Sequence, residues 1–101
     1  MNDVNERDWE LFKKLVPLWQ ERYIQKLNKE YINILSKNNS SAQNFWELEN
    51  RIREDKKHPG VILDLRKSTM HMNLMLLLSY EVITFDDLKE FSNELLDELK
   101  I

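Results

Sequence analysis

The sequence predicts an all-α fold, a compact bundle of about four helices with a long kinked first helix and a mostly buried third one. One glycine and two prolines in 101 residues are too few for a strand-rich chain, whose many turns call for positive or fixed φ. Apolar residues recur at steps of three and four, the helical period. With 42% hydrophobic and 33% charged residues, the chain can fill a core and keep a charged exterior. Its length suffices for one such core and not two, so residues 1–101 read as a single domain.

The first helix is expected from about Asn5 to Lys37, with Phe12, Val16, Trp19, Tyr23, Leu27, Tyr31 and Ile34 along one face. Leu11, Leu15 and Leu18 add a second stripe in its N-terminal half. Pro17 removes a backbone donor and clashes with the carbonyl four residues back. The apolar phase continues through it, which predicts a kink, with two separate helices as the alternative. Lys26 and Glu30 border the apolar stripe, where such side chains lay their stems over a core and keep the charge wet. A buried Glu30 paired with an arginine is the other reading. Lys37-Asn38-Asn39-Ser40-Ser41 marks the first turn, rich in residues whose side chains compete for backbone hydrogen bonds.

Ser40 and Gln43 match a capping box, so a second helix should run from there to about Lys57. Phe45, Leu48 and Ile52 form its expected core face, with Glu47–Arg51 and Glu49–Arg53 as four-residue charge pairs outside. Pro59-Gly60 ends it. Residues 61–67 are compatible with helix or extended chain, since short apolar runs do not separate the two. From Ser68 to Tyr80 helix is expected. Met70, Met72, Leu74, Met75, Leu76, Leu77 and Leu78 point almost all round the axis, the pattern of a helix buried on most sides. That burial is supplied either within one chain or by a second copy, as a homodimer.

Thr84 offers a cap to a last helix, with Asp86 and Asp87 where the helix dipole favours carboxylates. Phe85, Leu88, Phe91, Leu95 and Leu99 form its buried stripe. At 100° per residue, Asp86, Asp87, Glu90, Glu94, Asp97 and Glu98 fall within about a third of the circumference and make one acidic face.

Several chemistries lack their residues. There is no cysteine, which removes disulfides, thiolate zinc sites and a cysteine nucleophile. A single glycine excludes a phosphate-binding loop. His58 and His71 do not have the spacing of paired metal ligands; His58 reads as a charge at a helix C-terminus and His71 as a satisfied interior group. No catalytic, cofactor or metal site is expected, and the chain reads as a non-enzyme. The longest apolar run, Leu74–Leu78, is far short of the roughly 20 residues a membrane span needs. With no basic-then-apolar leader at the N-terminus, the expectation is a soluble, cytoplasmic protein.

Net charge is −3, and residues 58–101 carry 4 basic against 8 acidic side chains. This balance disfavours nucleic acid, which is bound by clustered Lys and Arg. The basic region Arg51, Arg53, Lys56, Lys57, His58, Arg66 and Lys67 is interrupted by Glu54 and Asp55 and reads as a solvated helix end, with a nucleic-acid-binding regulator as a lesser alternative. Trp9 and Trp19 belong to the core. Trp46 projects about 100° from Phe45, beside Glu49 and Arg53, and is either an edge residue packed on a neighbour or a partner anchor. The candidate partner-binding residues are therefore Trp46, Glu49 and Arg53 on one side and Asp86, Asp87, Glu90, Glu94 and Asp97 on the other. They point to a protein-interaction module, or to an acidic inhibitor that imitates spaced phosphates in a host nuclease or defence protein.

Glu6-Arg7-Asp8-Trp9 with Leu11-Phe12, Trp19-Gln20-Glu21 with Tyr23, Leu27-Asn28-Lys29-Glu30-Tyr31, Phe45-Trp46-Glu47-Leu48-Glu49, Asp55-Lys56-Lys57 with Pro59-Gly60-Val61, and Ile83-Thr84-Phe85-Asp86-Asp87-Leu88 with Phe91-Ser92 carry a family likeness. Across nearly its whole length the chain resembles a family of uncharacterised proteins of this size from gut-dwelling Gram-positive bacteria, often on mobile elements. The resemblance implies a shared small domain and carries over no activity or catalytic residue. The multidrug-transporter label that some members bear is at odds with a sequence that offers no span. The family pattern places a glycine before the valine of Ser79-Tyr80-Glu81-Val82, so a looser turn is expected here.

Overall fold

A computed structural model describes residues 5–100. Four α-helices follow one another: α1 (Glu6–Leu35), α2 (Ser41–Asp55), α3 (Met70–Ser79) and α4 (Asn93–Leu99), with 3-10 turns at Lys67–Thr69 and Phe85–Leu88. The described residues contain no strand. The all-helical expectation and the number of helices hold. The compactness does not: the molecule measures 54 × 24 × 22 Å with a radius of gyration of 16.8 Å, against about 13 Å for a compact domain of this length. The cause is α1, whose 30 residues make a rod of about 45 Å at 1.5 Å per residue.

Asn5 caps α1 through its side chain, which accepts from the amides of Arg7 and Asp8 at 2.8 and 3.3 Å. The helix runs unbroken through Pro17, so the choice between one helix and two falls to one. Its N-terminal half carries the core. Phe12, Val16 and Trp19 pack with Met70, Leu74 and Leu77 of α3, Val82 and Ile83 of the following turn, Leu88, and Phe91, Leu95 and Leu99 around α4. Trp9, Leu11 and Leu15 border this cluster, whereas Leu18, expected in the second stripe, is exposed.

Along the C-terminal half of α1, α2 returns antiparallel: Lys37 pairs with Glu47, Glu30 with Arg51 and Tyr31 with Asp55, and beyond α2 Tyr23 pairs with His58. The capping box is present, with both Ser40–Gln43 bonds at 3.1 Å. The expected core face of α2 is not a core face. Phe45 is 58% exposed, Leu48 and Ile52 are half-buried, and the one buried residue of this helix is Asn44. Polar groups decide the rotation. Asn44 donates to the carbonyls of Leu35 and Lys37 at 3.4 and 3.1 Å, groups that the end of α1 leaves without helical partners. Arg51 and Asp55 turn inward to Glu30 and Tyr31. The expected Glu47–Arg51 pair is replaced accordingly, while Glu49–Arg53 forms.

Residues 62–66 are irregular and lead into the 3-10 turn. They are fixed to α3 by Asn73, whose buried amide donates to the Asp64 carbonyl at 2.9 Å. Burial of α3 on most sides does not hold either: Met70, Asn73, Leu74 and Leu77 face inward, while Met72, Met75 and Leu76 are exposed. In a molecule this elongated, no other element reaches that outer side.

The turn after α3 is tight despite lacking glycine. The Val82 amide donates to Leu77 at 2.9 Å and the Glu81 amide to Leu78 at 3.0 Å, the paired bonds of a Schellman ending. Glu81 occupies the left-handed region at φ 59°. The expected last helix is two pieces. The 3-10 turn ends at Leu88, and Ser92 starts α4 anew, its hydroxyl accepting from the Leu95 amide at 3.2 Å. Asp8, at 1% exposure, holds Ser92 from α1: its carboxylate accepts the Ser92 amide at 2.9 Å and the hydroxyl at 2.6 Å. Phe85, assigned to the buried stripe, is consequently exposed.

Candidate functional site

The rotation that brings Asn44, Arg51 and Asp55 against α1 leaves the apolar side of α2 uncovered. Phe45, Leu48, Glu49, Ile52, Arg53 and Lys56 line an open groove there. Trp46, 60% exposed, meets Phe45 edge to face with centroids 4.9 Å apart. It is not covered by a neighbouring helix, so the edge-packed reading of this residue fails. Glu49 accepts from the Arg53 guanidinium at 2.6 Å on the rim. Trp46, Glu49 and Arg53 thus lie together, as their spacing predicts.

Tyr31 faces Asp55 across the helix pair, and Leu35, one turn further along α1, is exposed.

Beneath the groove a polar network fastens α2. The Arg51 guanidinium donates to Glu30, reaches Asp55 at 3.0 Å and lies 5.8 Å from the Tyr31 ring centre. Glu30, read as bordering a core, is thus half-buried and paired with an arginine. The Tyr31 hydroxyl donates to Asp55 at 2.5 Å; burial and this carboxylate push its pKa up to about 12, so it remains a donor at neutral pH. Beyond Asp55, the His58 ring stacks on Tyr23 with centroids 4.6 Å apart, and its Nδ1 accepts the Gly60 amide at 3.0 Å. That bond needs an unprotonated Nδ1, and burial lowers the His58 pKa, against the opposing charge of Asp55. The reading of His58 as a helix-end charge is overturned. His71 is exposed rather than interior, 3.9 Å from Glu98.

The acidic face is not continuous. Asp86 and Asp87 sit in the 3-10 turn, Glu90 in the connection, and Glu94 and Asp97 on α4, so the 100° progression that aligned them is broken at Ser92. Asp87 is also engaged: Arg22 grips both its carboxylate oxygens at 3.0 Å, and the Thr84 amide donates to it at 2.9 Å. The guanidinium and this amide hold its carboxyl below the usual carboxylate range. In the basic region, Arg51, Arg53, Lys57, Arg66 and Lys67 all pair with carboxylates.

Sequence reasoning missed Asp8, Arg22 and Asn44. Only Asn44 carried a local sign, its place one turn after a polar helix end. Among the described residues, no group of three or more His, Cys, Asp or Glu comes together as a metal site would require, and no helix is long and apolar enough to cross a membrane. Comparisons with protein families, curated proteins and solved structures find no match to this chain.

Proposed function

We propose that the chain is a non-catalytic protein-interaction module whose docking surface is the outer face of α2. One observation carries this reading: α2 turns Arg51 and Asp55 to α1 and leaves Phe45 and Trp46 exposed beside a groove lined by half-buried Leu48 and Ile52. A helix folding only for its own stability would bury that stripe instead, at roughly 1.5–3 kcal/mol for each large apolar side chain. Two aromatics beside aliphatic residues, rimmed by Glu49, Arg53 and Lys56, have the composition of an interface centre with a charged rim.

The test is affinity capture from an extract of the source cells, with wild type and a Phe45→Ala/Trp46→Ala double variant as baits. The reading expects a protein held by wild type and lost from the variant, while Met75→Ala, on the other exposed apolar face, retains it. Equal recovery on wild type and the double variant would refute it.

A further inference from the structure

Resting on that reading of the α2 face, we infer that its occupant is a second copy of the same chain, docked α2 against α2 in antiparallel order about a two-fold axis. The order of charge along the groove selects this partner. Along the groove Glu49 comes before Arg53 and Lys56, all three lining it with Phe45, Leu48 and Ile52. An antiparallel copy inverts that order. With the axis crossing at the level of Arg51, Glu49 of each chain falls opposite Arg53 of the other and within about one helical turn of its Lys56, and each contact occurs twice, as a two-fold interface demands. Parallel packing would set Arg53 and Lys56 beside their own copies.

The apolar contacts obey the same inversion. Leu48 of one chain meets Ile52 of the other, and Phe45 lies over the stem and charge of Lys56. Two hairpins would then close into a four-helix arrangement that covers what each leaves open. The face runs from Phe45 to Lys56, about 18 Å of helix. That is the small end of specific interfaces, and the dimer it makes is weak and reversible.

Sedimentation equilibrium on the full chain from about 5 µM to about 1 mM should show a mass that rises from 12.3 kDa toward twice that value. Glu49→Arg alone, and Arg53→Glu/Lys56→Glu alone, each place like charges across the axis and should weaken association at least about tenfold. Mixed in equal amounts, the two variants restore opposite charges at both contacts and should associate as a heterodimer, seen by native mass spectrometry. These side chains lie on the groove rim, and circular dichroism checks that both variants keep the wild-type helix content. A wild type that stays monomeric across the range overturns the inference, as do variants that dimerise undiminished, or a dimer lost only on Met75→Glu. A monomer that still captures a partner through Phe45 and Trp46 removes the second copy and leaves the docking face standing; a dimer with no captured partner makes the second copy the whole of its binding.

Discussion

Replacing Glu81 by glycine should stabilise the protein, and the size of the gain follows from the turn after α3. Glu81 stands at φ 59°, where the Cβ of an L-residue crowds its own backbone at roughly 1–2 kcal/mol. Glycine escapes that penalty but gives up roughly 0.5–1 kcal/mol more chain entropy on folding. The difference leaves about 0.5–1 kcal/mol in favour of Glu81→Gly. The two bonds that define the turn, Val82 to Leu77 and Glu81 to Leu78, are made by backbone and survive the change. The Glu81 side chain is exposed and takes no part in a hydrogen bond or ion pair among the described residues, so nothing is lost with it. Urea denaturation should show a higher midpoint at unchanged slope, and thermal melting a rise of about 2–8 °C for a chain of this size. Glu81→Ala is the control, because it removes the carboxylate and keeps the Cβ; its stability should stay near that of wild type. Equal stabilisation by alanine and glycine would place the effect in charge and refute the backbone argument. A destabilised Glu81→Gly would refute the turn itself.

The His58 ring accepts the Gly60 amide on Nδ1, and its pKa lies below the ordinary 6.5, so the unfolded chain takes up the proton first. Stability from this group is complete above pH 6.5 and falls as pH drops through that value toward the folded pKa. Denaturation at about pH 7.5 and about pH 5 should show this loss, and His58→Gln should flatten it; an equal slope in both proteins refutes the assignment. Asp8→Ala strips the Ser92 amide and hydroxyl of a shared buried acceptor and should cost about 3 kcal/mol. A double-mutant cycle with Ser92→Ala should give a coupling of about 1 kcal/mol or more, and additive losses would show that the pair does not act together. At Gly60 an added Cβ would lie 2.4 Å from Cδ2 of Tyr23, whose ring is held in place by the His58 stack. Gly60→Ala should therefore destabilise by about 1–3 kcal/mol, and the penalty should vanish in a Tyr23→Ala background; if it persists there, the clash is not its cause.

What was legible in the sequence was local. The apolar stripe of α1, the Ser40–Gln43 capping box and the placing of α3 follow from period and caps, which act within a turn or two. What was not legible depended on partners far along the chain. Ser92 reads as an ordinary polar residue inside an acidic helix until Asp8, 84 positions away, is seen to hold its amide. That single contact ends the 3-10 turn, restarts the helix and breaks the acidic face. The rotation of α2 is similar in kind. Its apolar stripe predicts a buried Phe45, and only Glu30 and Tyr31 on another helix reveal that Arg51 and Asp55 take the inward side. Glu81 is the opposite case, a position where local preference favours glycine and the surrounding core, with Leu77, Val82 and Ile83 all buried, imposes the conformation regardless.

These non-local contacts also explain why the exposed face is on α2. The main core meets α1 from Phe12 to about Trp19, and beyond Tyr23 it is α2 that packs along α1. Two helices alone cannot enclose two apolar stripes, so either α1 and α2 bury their stripes against each other or one stripe stays open. The Glu30–Arg51–Asp55–Tyr31 network makes the choice. Once Glu30 and Tyr31 face α2, the rotation that turns Arg51 and Asp55 toward them is the one that leaves these half-buried groups partnered. Phe45 and Trp46 are then left exposed by the same rotation. A network of this kind adds little net stability compared with an apolar seam of equal size; what it supplies is orientation. The polar seam and the apolar groove are two sides of one arrangement, and a substitution such as Arg51→Leu would act on the groove without touching it, by releasing α2 to turn its apolar stripe inward.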